Sequence, residues 1–192
     1  SKIIVGRSAG QVTVYNATGG VVWTATAFSS GEIRSLAVED IDRDGQFEII
    51  VGKAGSGATK QVNVLLANGS VKPGWPARRD GEAGYGWGMY NQNLTVADLA
   101  GDGRKEIIGP TDTHYITALD SDGNQLSANV IYGAGKVWSQ IGVHVQHSVD
   151  LRGYANCGSE HRPNFANSPP TIADLNGDGI NEIVVVGNVY NC

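Results

Sequence analysis

The chain has 192 residues, of which 27 are glycine, and its 14 basic and 19 acidic side chains give a formal net charge of −5. The basic residues are scattered singly apart from the pairs Arg78-Arg79 and Arg104-Lys105, which excludes the clustered basic patch that nucleic-acid binding requires. No stretch approaches the ~20 apolar residues of a membrane-spanning helix, and the high glycine content disfavours helices in general.

Short apolar runs with strand character follow one another along the chain. Residues 3–6 form the first β-branched run, and residues 11–15 alternate in polarity before Gly19-Gly20, as in a β-hairpin. Similar hairpins are predicted from residues 61–65 and 114–118. No segment shows a sustained helical period, so the predicted class is all-β. Further strands are predicted at residues 34–38, 49–52, 94–97, 107–109 and 183–187.

A nine-residue acidic segment occurs three times, each time directly before a β-branched run. Each copy has Asp at position 1, Asp at position 5, Gly at position 6 and Glu at position 9. Glycine permits the tight turn that lets these oxygens converge, and hard oxygen ligands in such numbers suit Ca²⁺. The copies are loop 1 (residues 40–48), loop 2 (residues 98–106) and loop 3 (residues 174–182).

Ca²⁺ is therefore the predicted cofactor, held by side-chain oxygens and by the main-chain carbonyl at position 7 of each loop. Loop 2 has Ala100 at position 3 in place of an oxygen donor, so it is predicted to bind most weakly. The predicted ligands are Asp40, Asp42, Asp44, Gln46 and Glu48 in loop 1, Asp98, Asp102, Arg104 and Glu106 in loop 2, and Asp174, Asn176, Asp178, Ile180 and Glu182 in loop 3.

The acidic segments have two alternative explanations. An EF-hand begins in the same way, but it needs a glutamate at position 12, where this chain has Val51, Gly109 and Val185. Asp, Asn and Gly also favour ordinary turns, which would explain any single copy without a metal. Three copies in one phase favour the calcium interpretation.

The strands that follow the loops mark a longer repeat. They begin at Ile49, Ile107 and Ile183, and Ile3 begins an equivalent strand with no acidic loop in front of it. The four positions are 46, 58 and 76 residues apart. Units of roughly 40 to 50 residues with about four short strands are typical of β-propeller blades. The predicted fold is therefore about three blades of four-stranded antiparallel sheet in one repeat domain. Its units are residues 3–48, 49–106 and 107–182, with insertions at 78–92 and 133–168.

These loops and strands, together with the segment 61–76 and its Pro-Gly-Trp-Pro ending, resemble the FG-GAP repeats of integrin-type β-propellers, often named VCBS repeats in microbial secreted proteins. The resemblance implies a calcium-stabilised propeller that works at the cell surface or outside the cell. The chain departs from the integrin pattern in having Glu at loop position 9 and Ala100 in loop 2. Three blades cannot close a ring, so we expect further blades in a longer polypeptide or an assembly of chains.

Recognition of a protein or glycan, without catalysis, is the first functional hypothesis. Tyr85, Trp87 and Tyr90 lie among glycines in the first insertion, as in a binding loop, although they could instead fold back over a blade edge. A structural role, with open blade edges pairing between chains, has the same sequence basis.

A carbohydrate-active, lyase-like enzyme is the alternative hypothesis, since several such enzymes resemble this repeat family. Its acid, base and sugar-acid-binding groups would come from the second insertion, although a solvated loop explains the same cluster. The residues concerned are His144, His147, Asp150, Arg152, Tyr154, His161 and Arg162.

The two cysteines, Cys157 and Cys192, are predicted to form a disulfide, with two unrelated thiols as the alternative. Calcium loops with few carboxylates bind at roughly 10⁻⁴ to 10⁻³ M in extracellular modules, concentrations that the cytosol does not supply. Both observations favour an extracellular or cell-surface location.

Overall fold

The structure is a computed structural model, and it describes residues 1–54, 60–76, 94–110, 115–142, 165 and 168–187. These residues form eleven β-strands and two single-turn 3₁₀ helices, Val130–Tyr132 and Trp138–Gln140, which confirms the predicted all-β class. No helix among them is long and apolar enough to cross a membrane. The strands are β1 (Lys2–Gly6), β2 (Gln11–Asn16), β3 (Val21–Thr26), β4 (Ile33–Glu39), β5 (Glu48–Lys53), β6 (Val62–Leu65), β7 (Thr95–Ala97), β8 (Glu106–Pro110), β9 (Ile116–Leu119), β10 (Thr171–Ala173) and β11 (Glu182–Val184).

The strands form four small antiparallel sheets, with the orders β1-β2-β3, β4-β5-β6, β7-β8-β9 and β10-β11. Each acidic loop joins two paired strands, as predicted, because loop 1 links β4 to β5, loop 2 links β7 to β8 and loop 3 links β10 to β11. Among the described residues, no sheet has the four full strands that were predicted. Val71 and Gln125 each add a single bridge beyond β6 and β9. The described residues do not close a ring.

The predicted hairpin turns are stabilised by side chains that bond to their own backbone. The Asn16 side-chain oxygen Oδ1 accepts hydrogen bonds from the N–H groups of Thr18 and Gly20, at 3.0 and 2.8 Å. Asp120 accepts in the same way from Asp122 and Asn124, at 2.9 and 2.8 Å. Each turn also has a glycine at positive φ, which side-chain-bearing residues rarely adopt. Sequence alone therefore locates these turns.

The sheets share one register. Ile3 pairs with Tyr15, Ile49 pairs with Leu65, and Ile107 pairs with Leu119, so these isoleucines occupy equivalent positions in successive sheets. Two tryptophans repeat the same link between neighbouring sheets. The Trp23 indole N–H donates to the Ala67 carbonyl, and that of Trp75 donates to the Ser121 carbonyl, both at 3.0 Å. Ala67 and Ser121 each lie two residues beyond an equivalent leucine, so neighbouring sheets are fastened in one manner.

The core consists of three apolar clusters, one between each pair of successive sheets. Consecutive strand residues point to opposite faces, so Ile49 and Val51 of β5 join one cluster while Ile50 joins the next. Ile107 and Ile108 of β8 are divided in the same way. The prediction that the strands after the loops are buried on both faces is therefore confirmed for β5 and β8.

That prediction is wrong for β11, whose residues are half-buried or exposed. Val184 is 41% exposed, whereas the equivalent Ile108 of β8 is fully buried. The cause is position in the stack, because β10 and β11 form its last sheet and the described residues place no further sheet on their outer face. β1, at the other end, is similarly uncovered.

We expect Ile107→Ala to lower the free energy of unfolding by about 2–5 kcal/mol, because it leaves a cavity between two sheets. Ile3→Ala is the matched control, since Ile3 occupies the equivalent position but is 57% exposed. That change should cost about 1 kcal/mol or less. Urea denaturation monitored by circular dichroism measures both free energies of unfolding. Equal losses in the two variants would contradict the stacking of the sheets.

Candidate metal centre

The glutamate at position 9 binds the start of its own loop in all three copies. Its Oε2 accepts a hydrogen bond from the N–H at position 2, at 3.1 Å in loop 1, 2.7 Å in loop 2 and 2.8 Å in loop 3. Glu48 and Glu106 are only 1% and 4% exposed because each begins a buried strand. Burial raises the pKa of both carboxyl groups, and these N–H groups partly oppose the shift.

The aspartates at positions 1 and 5 hold the turn itself. At position 1, Oδ2 accepts from the N–H of the position-6 glycine at 3.0, 2.8 and 2.8 Å in loops 1, 2 and 3. At position 5, Oδ1 accepts from the N–H at position 7 at 2.8 Å in every copy. The glycines have φ values of 84°, 86° and 86°, in the left-handed region that glycine favours. The three loops thus share one conformation.

Loop 1 brings three of its predicted ligands together. Carboxylate oxygens of Asp40, Asp42 and Glu48 all lie within 4.8 Å of one another. Ligands on opposite sides of one Ca²⁺ ion lie roughly 4.6–5.2 Å apart, so these oxygens fit a single ion. Asp44 is outside this group, and its carboxylate accepts from Gln46. Among the residues that the structure describes, this is the one such acidic group.

Lys72 lies against this group and was not predicted from the sequence. Its side chain is 9% exposed, and its ammonium forms an ion pair with Asp42 Oδ2. The hydrogen bond from Lys72 lowers the pKa of Asp42. Because 30 residues separate the two, no local pattern could have indicated the contact.

Loops 2 and 3 have different surroundings. In loop 2, Ala100 supplies only its N–H, which donates to Glu106 at 3.2 Å. In loop 3, the Asn176 amide group donates to Asp178 at 3.1 Å and to Glu182 at 3.5 Å. The N–H of Gly179 is the main cause of a lowered pKa at Asp174. Position 3 therefore carries a paired carboxylate, a methyl group or an amide in the three copies.

Neighbouring loops also bond to each other. The Arg43 guanidinium of loop 1 donates to the Asp102 carbonyl of loop 2 at 3.0 Å, and the Lys105 N–H donates back to the Ile41 carbonyl at 2.9 Å. The Asn181 amide of loop 3 donates to the Asp98 carbonyl of loop 2 at 2.7 Å. The last contact joins residues that are 83 positions apart in the sequence. The three loops thus lie side by side at one edge of the stacked sheets.

Several predicted site residues lie outside the described residues, and their predictions stand as made. They include the aromatic residues of the proposed recognition loop, both cysteines and the histidine-containing cluster of the enzyme hypothesis. These are Tyr85, Trp87, Tyr90, Cys157, Cys192, His144, His147, Asp150, Arg152, Tyr154, His161 and Arg162.

A scan against protein-family models found no match for this chain. A search of curated proteins likewise found no similar sequence. The likeness to FG-GAP repeats therefore depends on the loop and strand motifs alone.

We expect Glu106→Ala, measured in a chelator, to lower the free energy of unfolding by about 2–4 kcal/mol. The change leaves the N–H groups of Leu99 and Ala100 without their acceptor in a partly buried place. Asp102→Ala removes an equal charge from the same loop but loses only one exposed hydrogen bond, so it should cost about 1 kcal/mol. Chemical denaturation compares them, and a smaller loss for Glu106→Ala would refute the anchoring role.

Proposed function

We propose that this chain is a calcium-stabilised β-propeller segment of FG-GAP or VCBS type. It acts outside the cell or at the cell surface as a non-catalytic recognition, adhesion or structural module. The observation that carries the proposal is the common hydrogen-bonding scheme of three acidic loops on equivalent strand pairs. An isolated turn would need no such repetition.

The donor chemistry of loop 1 supports calcium. Asp40, Asp42 and Glu48 offer only oxygen, and their separation suits a large, hard cation. In the bound state, Ca²⁺ would supply positive charge to carboxylates that otherwise repel one another. Ten of the chain's nineteen acidic residues lie in the three loops, four in loop 1 and three in each other loop. Three bound Ca²⁺ ions would change the net charge from −5 to about +1.

The stacking of the sheets supports the propeller assignment. Strand β4 packs against β7, and β7 packs against β10, so the first strands of successive sheets form one row. The apolar clusters between sheets and the repeated tryptophan hydrogen bonds follow the same order. Propellers are built from short four-stranded sheets that stack face to face around an axis. In the described residues, each sheet has two or three of these strands and at most one additional bridge.

The loops favour a structural role for the ion over a catalytic one. An ion surrounded by three or four carboxylates retains little Lewis acidity and few open positions for a substrate. The hydrogen bonds within each loop hold the ligand oxygens in fixed places, as a stabilising site requires. Recognition would then depend on the insertions that the stacked sheets carry.

We expect calorimetry to detect Ca²⁺ binding at loops 1 and 3. Asp40→Asn and Asp174→Asn should each weaken one site at least tenfold, because each removes a ligand charge and leaves only one of the two side-chain oxygens that accept the turn N–H groups. At a free ion concentration of 100 times the dissociation constant, each site should stabilise the fold by about 2.7 kcal/mol. Thermal melting with and without a chelator measures that effect.

Glu32→Gln is the control for these variants, because Glu32 is an exposed acidic residue outside the three loops that pairs with Arg34. It should leave stoichiometry and melting unchanged. A melting midpoint that does not respond to chelation would mean that the loops are metal-free turns. Unchanged binding in a variant that combines Asp40→Asn with Asp174→Asn would exclude these two loops as the sites.

Binding rather than turnover is expected when the chain is tested on glycan and matrix-protein arrays beside a polysaccharide depolymerisation screen. Trp87→Ala should lose binding, because a tryptophan in a glycine-rich loop offers a large, rigid contact surface. His147→Ala should retain binding. Depolymerisation by the wild-type chain that His147→Ala abolishes would instead establish the enzyme hypothesis.

A further inference from the structure

Lys72 is an unusual residue for its position in the fold. The whole residue is 7% exposed. It directly follows Val71, which forms a single antiparallel bridge with Leu65 of β6. A buried lysine is unfavourable unless its ammonium is paired, and here the partner is Asp42 at position 3 of loop 1. The pair therefore places a positive charge of the chain itself at the edge of the acidic group formed by Asp40, Asp42 and Glu48.

The next sheet provides an internal comparison. The Lys72 N–H donates to the Val64 carbonyl, and the Leu126 N–H donates to the equivalent Ala118 carbonyl, both at 2.9 Å. Leu126 thus occupies the place of Lys72 in the sheet that carries loop 2. Position 3 of loop 2 is Ala100, which has no carboxylate to neutralise. Of these two sheets, the one with a position-3 aspartate has the lysine, and the one without it has an apolar residue.

We propose that Lys72 is a built-in counter-ion that competes with Ca²⁺ for Asp42 and so weakens calcium binding at loop 1. This inference rests on the proposed function, because it assumes that loop 1 is a calcium site. In the absence of the ion, the ammonium neutralises part of the acidic group. In its presence, the two cations share one carboxylate.

The opposite role, in which Lys72 orients Asp42 and thereby helps binding, follows from the same contact. A hydrogen bond that fixes a ligand carboxylate usually favours the metal. The ammonium, however, carries a full charge close to a divalent ion, and the Coulomb repulsion between them is proportional to the product of the charges. In a place this little exposed to solvent, repulsion outweighs the gain from orientation. Among the described residues, the Asp44 N–H and the charge of Arg104 in loop 2 also lower the pKa of Asp42, and the charges of Asp42 and Asp44 raise that of Glu48.

The test is calorimetric titration with CaCl₂ in an Asp174→Asn background, which disables loop 3. Lys72→Met should tighten binding at loop 1 at least tenfold, equivalent to about 1.4 kcal/mol. Adding Asp40→Asn should abolish the gain, which assigns it to loop 1. Lys136→Met removes a positive charge from an exposed residue away from loop 1 and should leave the affinity unchanged.

Thermal melting supplies a second readout and a check of folding. In a chelator, Lys72→Met should melt at a lower temperature than the parent, because the acidic group loses its counter-ion. Its rise in midpoint on adding calcium should be larger than that of the parent. Lys72→Gln keeps a hydrogen-bond donor without the charge, and it should behave in the same way if Lys72→Met folds poorly.

The outcomes separate the two proposals. Calcium binding at loop 1 that is unchanged or weaker in the Lys72 variants overturns the counter-ion role and leaves the calcium site standing. Absence of calcium binding in the parent and in every Lys72 variant overturns both. Binding that appears at loop 1 only after Lys72 is replaced supports the counter-ion role in its strongest form.

Discussion

Each acidic loop depends on one carboxylate at the junction between loop and strand. Glu48 and Glu106 are removed from water where β5 and β8 begin, which is unfavourable for a charged group. The hydrogen bond from the second N–H of the loop offsets part of this effect. The first and last residues of the loop are consequently fixed to each other. The turn aspartates, the contacts between loops and any bound ion all build on that closure.

Sheet stacking and loop alignment are two results of the same register. Because equivalent isoleucines occupy the same place in β1, β5 and β8, these sheets present the same faces to their neighbours. Stacking these faces brings the loop ends to one edge, where Arg43 and Asn181 reach the carbonyls of loop 2. The indole N–H groups of Trp23 and Trp75 each donate a hydrogen bond to a main-chain carbonyl beyond the third strand of the next sheet. A substitution that shifts one sheet against the next would therefore also alter the hydrogen bonds between the loops.

The sequence predicts the strands, the turns and the loops because their signals are local. Polarity alternation, glycine at positive φ and the spacing of the aspartates all act within about ten residues. Burial is not local: β8 and β11 have nearly the same sequence, yet within the described part of the chain only β8 has a sheet on each face. The ion pair between Lys72 and Asp42 could not be predicted from the sequence for the same reason, because it joins residues from different parts of a sheet.

The shared backbone of the loops and their different charges have separate consequences. Backbone N–H groups hold the aspartates at positions 1 and 5 in the same way in all three loops, so the turn is common to the copies. Differences between the copies in their response to an ion would then come from repulsion between carboxylates, which is not the same in the three loops. Asp42 has Lys72 beside it, Ala100 adds no charge, and Asn176 donates to neighbouring carboxylates. Under the proposed function, dependence on calcium is therefore set at position 3 and not by the turn.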